Sequence, residues 1–551
     1  MNRQVFVIAL LTCTAAFSQH GRPDSINNER SAPSLTEQDS DVDVIVKFKG
    51  EGNLGGHRGA GFSRRHGLNV RFNHELIGSH AYTLKKSELE RFAGDPDIEF
   101  IALDQEVRPT LDRSRAAVMA KAAVSRTGVD GWQVTVAVID SGIDATSEAF
   151  TDGTSSRVIF QKSFIPNVTS TADEYGHGTH VASIVGGDGM GTNTATASYK
   201  GLAPYANLIN LRVLDKNGMG KDSYVIAALS WAVANKTTYD IRIINLSLGR
   251  PVTSSYKTDP LCLAVEAAWK AGIVVVVAAG NEGRNNSAAN QGYGTISSPG
   301  NDPYVITVGA AKAGSTDSRA DDMPTSYSSK GPSMIDHVVK PDLLAPGNKV
   351  VALGTGSLFS GNPGNVVDAT NKYMRLSGTS MAAPVVSGAI ALLLDAETTL
   401  TPDQVKARLM KNAWRGFAPM ATVTDAGKTY TVRNDIFSVG AGYLDIDAAL
   451  ANSAYRPAKS ALSPVAVWNT TTKKASIVGA SNVIWGDSTT PLNVIWGTNI
   501  VAGTNVIWGD NVIWGDYTNS GCNVIWGDST IFTATSNVNG EAAGLLLNGE
   551  N

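Results

Sequence analysis

Cysteine and charge of either sign are both scarce in this chain, and each scarcity excludes a class of protein. Only three of the 551 residues are cysteine, and Cys262 and Cys522 alone would remain after loss of an N-terminal leader. Two cysteines do not make a disulfide framework, and no spacing indicates a zinc or iron–sulfur site. Charged residues make up 17% of the chain and the net charge is −4, so no basic face for a nucleic acid is indicated.

Long apolar runs are also missing. At the N-terminus Arg3 precedes a short apolar run over residues 5–11, and small residues follow up to Ser18. This pattern predicts a secretory signal peptide over residues 1–18 and a secreted, extracellular protein; the alternative is a short buried helix. The run is too short to cross a bilayer, and we expect no other stretch to be long enough, hence no membrane span.

Shifts in composition divide the first part of the chain. Residues 19–41 are polar and contain two prolines, which is typical of a linker. Residues 42–108 carry two alternating strand patterns around the short helical stretch KSELERFAG, and predict a small α+β domain of the split β-α-β type. Residues 109–121 are polar and basic, and we expect them to be exposed and easily nicked.

A large domain is predicted over residues 115–450, where apolar strands alternate with helical stretches. Several strands are apolar on both faces, as in a parallel sheet that is covered on both sides. We therefore predict an α/β three-layer sandwich with a largely parallel sheet and its functional groups beyond the carboxyl ends of the strands. The predicted strands are VTVAVID (134–140), ANLINLRVL (206–214), IRIINLSLG (241–249), GIVVVVAAGN (272–281) and YVITVGA (304–310).

The tail, residues 451–551, is a different kind of polypeptide. It is rich in Asn, Thr, Ser and Gly, and the phrase NVIWG occurs five times, starting at Asn482, Asn493, Asn505, Asn511 and Asn523. Repeats this short suggest stacked β-turns with a ladder of indoles, because one unit alone cannot bury its face. The alternative is a low-complexity tail that binds a surface or a partner.

Three residues at strand ends or helix starts have complementary chemistry. Asp140 ends the strand in VAVIDSGID, His177 opens a helix in GHGTH, and Ser380 opens a long apolar helix in SGTSMAAP. A hydroxyl needs an imidazole to take its proton, and that imidazole needs a carboxylate to fix its tautomer and stabilise its charge. Taken singly, the three could be a turn carboxylate, a satisfied histidine and a helix cap; together they predict a catalytic triad.

These motifs resemble those of subtilisin-like serine proteases, which use the same Asp–His–Ser order. GLAPYANLINLRVLDKNGMG, INLSLG, AAGNEG and KPDLLAPG match as well, and the resemblance covers roughly residues 42–450 with an inhibitor-type propeptide in front. The resemblance implies a serine endopeptidase that hydrolyses peptide bonds through an acyl-enzyme intermediate. Pro384 is expected within the first turn of the Ser380 helix, where a missing N–H does no harm.

The resemblance also assigns residues around the triad. It implies an oxyanion hole formed by the Asn281 side-chain amide and the backbone N–H of Ser380, although Asn281 alone could be a turn residue. It implies that substrate lies extended between two backbone segments and that its P1 side chain enters a pocket walled by residues 247–249 and 278–280. The two segments are Gly218-Met219-Gly220 and Ser247-Leu248-Gly249.

Partners and cofactors follow from the same resemblance. Residues 42–108 would act as an intramolecular inhibitor, removed by self-cleavage between about Val107 and Ala122, and the substrates would be proteins or peptides. We expect a monomer and no cofactor for the chemistry. The family often carries structural calcium, but the stretch after the histidine helix does not reproduce its usual loop, so no metal ligands are assigned. His177 and His180 lack the glutamate and third ligand of a metal site.

Two alternatives to this function are an inactive protein that displays the repeat tail and an acid peptidase of the related sedolisin type. Asp140, His177, Asn281 and Ser380 are all present, which argues against the first. Sedolisins use a glutamate at the position of His177, which argues against the second. A pH–rate profile that rises through the histidine range would exclude the second alternative, and labelling of Ser380 by a fluorophosphonate would exclude the first.

Overall fold

The structure is a computed structural model. It describes residues 41–49, 57–74, 79–103, 110–189, 199–287, 290–314, 316, 318–425, 427–469, 474–478, 546–547 and 549–550. The signal peptide, nearly all of the linker, the NVIWG repeats and Cys522 lie outside these residues. The described residues form two compact units, which divide between residues 107 and 108.

The first unit is a four-stranded antiparallel sheet with two helices. Its core contains Val44, Val46, Phe62 and Phe92. The strand order is β2-β3-β1-β4, which together with the chain order gives the predicted split β-α-β, ferredoxin-like arrangement. The elements are β1 (Asp41–Phe48), α1 (His57–His66), β2 (Phe72–His74), β3 (Ser79–Lys85), α2 (Leu89–Ala93) and β4 (Ile98–Leu103).

The second unit is built on an eight-stranded sheet. Six strands run parallel in the order β10-β9-β8-β5-β7-β6, β12 pairs in parallel with β10, and β11 closes one edge antiparallel. The strands are β5 (Thr135–Asp140), β6 (Val158–Ser163), β7 (Asn207–Arg212), β8 (Ile241–Leu246), β9 (Val274–Ala278), β10 (Ile306–Lys312), β11 (Met323–Pro324) and β12 (Leu343–Pro346).

All five strands predicted for the large domain are present in this sheet, and three further strands of the sheet were not predicted. β6 lies at the sheet edge and exposes several of its residues, so its sequence VIFQKS lacks the apolar run of a covered strand. β11 is only two residues long, and β12 is four residues long and ends in proline, so neither gives a strand pattern.

The helices of this unit cover the sheet as two packed pairs, α5 with α10 and α6 with α8, which gives the predicted three-layer α/β sandwich. The helices are α3 (Thr110–Ala117), α4 (Ala120–Thr127), α5 (His177–Gly186), α6 (Asp222–Ala234), α7 (Lys236–Tyr239), α8 (Pro260–Lys270), α9 (Gly356–Gly361), α10 (Thr379–Ala396), α11 (Pro402–Lys411) and α12 (Ile446–Ala451).

Helix α10 is the centre of the core. By length and composition it could cross a membrane. The expectation from the sequence that no stretch is long enough to do so is therefore wrong. However, 89% of the helix is buried inside the protein, where it packs on β8, β9, β10 and β12. Its apolar character is therefore that of a core helix.

Two sequence boundaries are sharpened by packing. Ser114, Val118 and Ala120 are buried, so the expectation of an exposed segment over residues 109–121 is wrong for its second half. At the other end, Ala461 and Ala466 belong to the main core, and the Val339 N–H donates to the Pro464 carbonyl at 2.8 Å. The core thus continues beyond residue 450.

The remaining strands form one small sheet and two hairpins. β13 (Val350–Leu353), β15 (Tyr373–Leu376) and β14 (Val366–Asp368) pair in that order; β16 (Met420–Asp425) pairs with β17 (Lys428–Arg433); and β18 (Val465–Asn469) pairs with β19 (Lys474–Val478). Cys262, on α8, is buried 3.3 Å from Asn301 Oδ1 and has no disulfide partner among the described residues.

Candidate active site

Asp140 and His177 form a buried pair at the carboxyl end of β5. Asp140 is the last residue of that strand and His177 is the first residue of α5. Asp140 Oδ1 lies 2.8 Å from His177 Nδ1 and also accepts the Ser141 N–H at 2.7 Å. Because the carboxylate holds Nδ1, the imidazole is fixed in the tautomer whose Nε2 can accept a proton.

A second carboxylate, Asp173, holds the start of the histidine helix. Its Oδ1 accepts the Ser141 hydroxyl and the Gly176 N–H, both at 2.7 Å, and its Oδ2 accepts the Thr179 N–H at 2.7 Å. These bonds satisfy amides that a helix N-terminus leaves unpaired. Burial raises the pKa of Asp173. The sequence analysis did not identify this residue, although it lies only four positions before His177.

Ser380 lies in the first turn of α10, where it is 4% exposed. Its Oγ donates to the Ser247 carbonyl at 3.0 Å, and its own carbonyl accepts the Ser247 hydroxyl at 2.8 Å. This carbonyl would normally accept the N–H four residues later, but that residue is Pro384. Pro384 therefore lies in the second turn of the helix, not in the first turn as expected. Because it has no N–H, the Ser380 carbonyl can accept the Ser247 hydroxyl instead.

The hydrogen bonds that hold Ser380 continue into the core. Asn245 donates from Nδ2 to Ser247 Oγ at 2.9 Å, and its Oδ1 accepts the Ser387 hydroxyl at 2.8 Å. All of these side chains are buried. The network ties the end of β8 to two turns of α10, and the sequence analysis did not predict the part of Asn245 in it.

The Asn281 side chain is oriented by Thr379. Its Oδ1 accepts the Thr379 N–H at 2.9 Å and the Thr379 hydroxyl at 3.2 Å, and Thr379 Oγ1 in turn accepts the Gly280 N–H at 3.1 Å. Since the amide oxygen is engaged, the NH2 group is the end left to donate. Asn281 lines the same pocket as His177 and Ser380.

That pocket brings together most of the residues predicted from the sequence. The Asp140 carboxylate lies buried behind it, in contact with His177. The predicted stretch Ser247-Leu248-Gly249 also lines it. The lining is Tyr175, His177, Leu214, Ser247, Leu248, Gly249, Ala278, Gly280, Asn281, Ser297, Thr379, Ser380 and Leu546.

The other predicted substrate segment, Gly218-Met219-Gly220, is not part of this lining. Its Met219 forms a turn with Asp215, whose N–H donates to the Met219 carbonyl at 2.8 Å. Gly218 has a φ of +74°, and a Cβ there would lie 2.7 Å from the ring of Tyr175, which does line the pocket. The segment thus adjoins the pocket through Tyr175.

The wall of the predicted P1 pocket needs small residues. A Cβ on Gly280 would lie 2.4 Å from Ser297 Oγ, and one on Gly249 would lie 3.0 Å from Ser297 Cβ. Ser297 therefore closes the pocket between these two glycines. It comes from the loop RNNSAANQGYGTISSPG, for which the sequence alone gave no position.

His180 does not share the site with His177. It is fully buried, with Nε2 3.3 Å from the Met374 carbonyl oxygen. Burial, helped by the neighbouring His177, lowers the pKa of His180 to about 3, so the ring is neutral. Among the described residues, no group of three or more His, Cys, Asp or Glu side chains is placed to hold a metal ion.

A hydroxyl, an imidazole and a carboxylate gathered at the carboxyl edge of a parallel sheet are the components of a serine-hydrolase site. Comparison with known proteins gives the family. The profile of the Subtilase family (Peptidase_S8) matches residues 131–442, and the chain belongs to that family.

Individual relatives agree with the family match. Serine protease AprX of Bacillus subtilis (strain 168) is 36% identical over 383 residues, which cover 67% of this chain and 82% of that protein. Subtilisin E of the same organism is 33% identical over 351 residues, covering 63% and 78%. The crystal structure of a cold adapted subtilisin-like serine proteinase is 28% identical, covers 57% of this chain and 91% of that chain, and has a TM-score of 0.40.

Proposed function

We propose that this subtilase-family protein is a secreted serine endopeptidase that hydrolyses peptide bonds in proteins and is made as an autoprocessed zymogen. The observation that carries the proposal is that His177, held at 2.8 Å by the buried Asp140, lines the same pocket as Ser380. The names of the relatives, a serine protease and a subtilisin, support the same activity.

In the proposed reaction His177 Nε2 takes the Ser380 hydroxyl proton while Oγ attacks the scissile carbonyl carbon. Asp140 stabilises the imidazolium that forms. The Asn281 NH2 group and the Ser380 N–H, at a helix N-terminus, stabilise the oxyanion. The imidazolium then protonates the leaving amine, the C–N bond breaks, and water releases the acyl group by the reverse steps. These steps use only groups of the protein.

The hydrogen bond from Ser380 Oγ to the Ser247 carbonyl gives substrate a part in activating the nucleophile. When a peptide lies along residues 247–249, its main-chain N–H can take this carbonyl. The serine hydroxyl is then released toward His177, since catalytic hydrogen bonds often tighten only in the complex.

Broad specificity follows from how substrate would be held. Main-chain pairing with residues 218–220 and 247–249 is largely indifferent to side chains. Selection would fall mainly on the P1 pocket between Gly249, Gly280 and Ser297, where a Cβ on either glycine would meet Ser297.

The domain plan of the proposal is a signal peptide (1–18), a linker (19–41), an inhibitor-like propeptide (42–108), a peptidase domain (from 115, with its core continuing past 450) and a repeat tail. Burial of Ser114 and Val118 supports a self-cleavage site in the residues before Ser114. The processed enzyme is proposed to be a monomer, with no assigned calcium ligands.

The test is the intact mass of the purified protein and of its Ser380→Ala variant, both produced in a host that lacks other secreted proteases. We expect the wild-type protein to have lost its residues up to a point between 107 and 114. The variant should keep the propeptide, because it has no nucleophile. A variant that is processed like the wild type would contradict self-cleavage, and a wild type that hydrolyses no protein substrate would contradict the peptidase assignment.

A further inference from the structure

Near its C-terminal end the chain returns to the catalytic pocket. Leu546 is 2% exposed and lines that pocket together with Ser380 and Asn281. The Ser377 N–H, three residues before the nucleophile, donates to the Leu546 carbonyl at 2.8 Å. We call residues 546–550, Leu-Leu-Asn-Gly-Glu, the terminal segment; its Asn548 lies outside the described residues.

The Glu550 side chain enters a fully buried carboxylate site. Its Oε2 accepts the Ser326 N–H at 3.0 Å, the Ser326 hydroxyl at 2.6 Å and Arg284 Nη2 at 3.0 Å. Burying a charge is costly unless it is paired and hydrogen-bonded, and these three donors supply that compensation at Oε2. The other oxygen, Oε1, has no hydrogen-bond partner among the described residues. Arg284 is itself positioned by the ring of Tyr430 and by Asp425, 2.8 Å away.

The backbone of the terminal segment is recognised as well. The Asn348 side chain accepts the Glu550 N–H at 2.9 Å and donates to the Glu550 carbonyl at 2.8 Å. Asn365 Nδ2 also donates to the Leu547 carbonyl. Because Asn348 bonds both the N–H and the carbonyl of residue 550, it recognises the backbone of that residue and not its side chain.

Gly549 makes the turn that this binding requires. Its φ is +60°, and a Cβ there would lie 2.3 Å from Ser377 Oγ and 2.7 Å from Asn348 Oδ1. A larger residue is therefore excluded both by conformation and by contact.

The direction of the terminal segment matches that of a leaving peptide. Its residue numbers rise away from Ser380, from Leu546 in the catalytic pocket to Glu550 beside Arg284. Its hydrogen bonds go to residues 284, 326, 348, 365 and 377, which are on different loops from the acyl-side stretches 218–220 and 247–249. A substrate's residues after the scissile bond would run the same way.

We propose that Arg284, Ser326 and Asn348 form an acidic-residue subsite on the leaving-group side of the substrate cleft, and that the terminal segment occupies it as an intramolecular competitive ligand. The subsite takes a peptide with a carboxylate side chain several residues beyond the scissile bond. This inference rests on the proposed peptidase function, because it assigns one side of that cleft.

The experiment compares the wild-type protein, produced from the full-length chain, with three variants. Glu550→Gln keeps the size of the side chain but removes the charge that Ser326 and Arg284 bind. Glu266→Gln is the matched control, since it makes the same substitution in the ion pair of Glu266 with Lys270 on α8 and touches neither the subsite nor the terminal segment. Each protein is assayed with an internally quenched peptide that spans the cleft and with a peptide p-nitroanilide that has residues on the acyl side only.

We expect Glu550→Gln to lower KM for the spanning peptide roughly tenfold at similar kcat, the factor that loss of one charge-assisted interaction gives. KM for the p-nitroanilide should not change, and Glu266→Gln should lower neither KM. Equal KM values in wild type and Glu550→Gln, or an equal fall for both substrates, would overturn the inference. Gly549→Val, which expels the terminal segment without changing its charge, should reproduce the Glu550→Gln result.

Intact mass shows whether processing has removed residues 546–550. If it has, the synthetic peptide Leu-Leu-Asn-Gly-Glu takes their place. Competitive inhibition of spanning-peptide hydrolysis that is lost with Leu-Leu-Asn-Gly-Gln supports the subsite, and no inhibition by either peptide overturns it. Failure of the wild type to hydrolyse any substrate would instead count against the peptidase function, so the two failures can be distinguished.

Discussion

Two buried carboxylates lie at opposite ends of the strands of the same parallel sheet, and their surroundings differ. Asp140 ends β5, while Asp342 comes directly before β12. Asp342 uses both oxygens: Oδ2 accepts the Thr307 N–H and Lys340 Nζ, each at 2.8 Å, and Oδ1 accepts the Ser463 hydroxyl at 2.6 Å, with Lys406 Nζ 3.2 Å away. Asp140 bonds through Oδ1 alone, and its Oδ2 has no hydrogen-bond partner among the described residues.

The difference separates Asp342, a structural carboxylate, from Asp140, the carboxylate that is proposed to act in catalysis. Burial alone would raise the pKa of Asp342, but the charges of Lys340 and Lys406 more than offset it and hold that pKa below its usual value. Both carboxylate oxygens and both ammonium groups of this cluster have hydrogen-bond partners, so the cluster rigidifies the core. Asp140 instead bonds only one imidazole and one amide, which orients His177 as the proposed proton transfer requires.

The largest expected effect is on catalysis at Asp140. We expect Asp140→Asn to lower kcat by roughly 10⁴-fold, because an amide cannot hold the imidazole in the tautomer that accepts the serine proton. The midpoint of thermal unfolding should change little. Steady-state kinetics with a spanning peptide and a melting curve measure both, and a variant with near-normal kcat would contradict the role of Asp140.

The matched change, at the amino end of β12, is Asp342→Asn. It leaves the ammonium groups of Lys340 and Lys406 buried without a full counter-charge, so we expect a loss of about 3–5 kcal/mol in unfolding free energy. The kcat of the fraction that remains folded should be unchanged. The unfolding free energy is measured by denaturant titration in the Ser380→Ala background, which avoids self-digestion. An unchanged unfolding free energy would show that the Asp342 cluster does not stabilise the fold.

A smaller loss is expected at the oxyanion hole. Asn281→Ala should lower kcat by roughly 10²–10³-fold with little change in KM, the range established for the matching donor in subtilisin, a relative. The reason is that the amide acts on charge that exists only in the transition state. A change confined to KM would assign Asn281 to substrate binding instead.

The smallest expected effect concerns pH and the buried His180 of α5. The folded pKa of His180 is about 3, below its unfolded value, so its contribution to stability is complete above about pH 6.5 and is lost as the pH falls toward 3. The slope approaches roughly 1.4 kcal/mol per pH unit. His180→Gln in the Ser380→Ala background should flatten the fall of the unfolding midpoint between about pH 6 and 4. Parallel curves would contradict this account.

Much of the fold and of the site could be predicted because the information is local. Five apolar strands and three motifs each lie within a dozen residues, and the motifs place Asp140, His177 and Ser380 at strand ends or helix starts, as the structure has them. Pro384 shows the limit of this reasoning. Its tolerance in α10 depends on Ser247, which lies more than 130 residues away and takes the carbonyl that the proline leaves.

Apart from Asp173, whose partners Gly176 and Thr179 are local, the residues that were missed act through long-range contacts. Asn245 meets Ser387 across 142 positions, and Asp342 meets Ser463 across 121. Glu550 reaches Ser326 across 224 positions, and nothing in LLNGE distinguishes it from the tail before it. No local pattern signals such pairings, because a buried polar side chain is recognisable only by the partner that folding brings to it.

The central claim is that Ser380 is a nucleophile activated by His177, and labelling with a fluorophosphonate tests it most directly. The account predicts one adduct per folded molecule, on the peptide that contains Ser380, absent from Ser380→Ala and much slower to form in His177→Ala. A folded wild-type protein that forms no adduct, or forms it at another residue, would contradict the account.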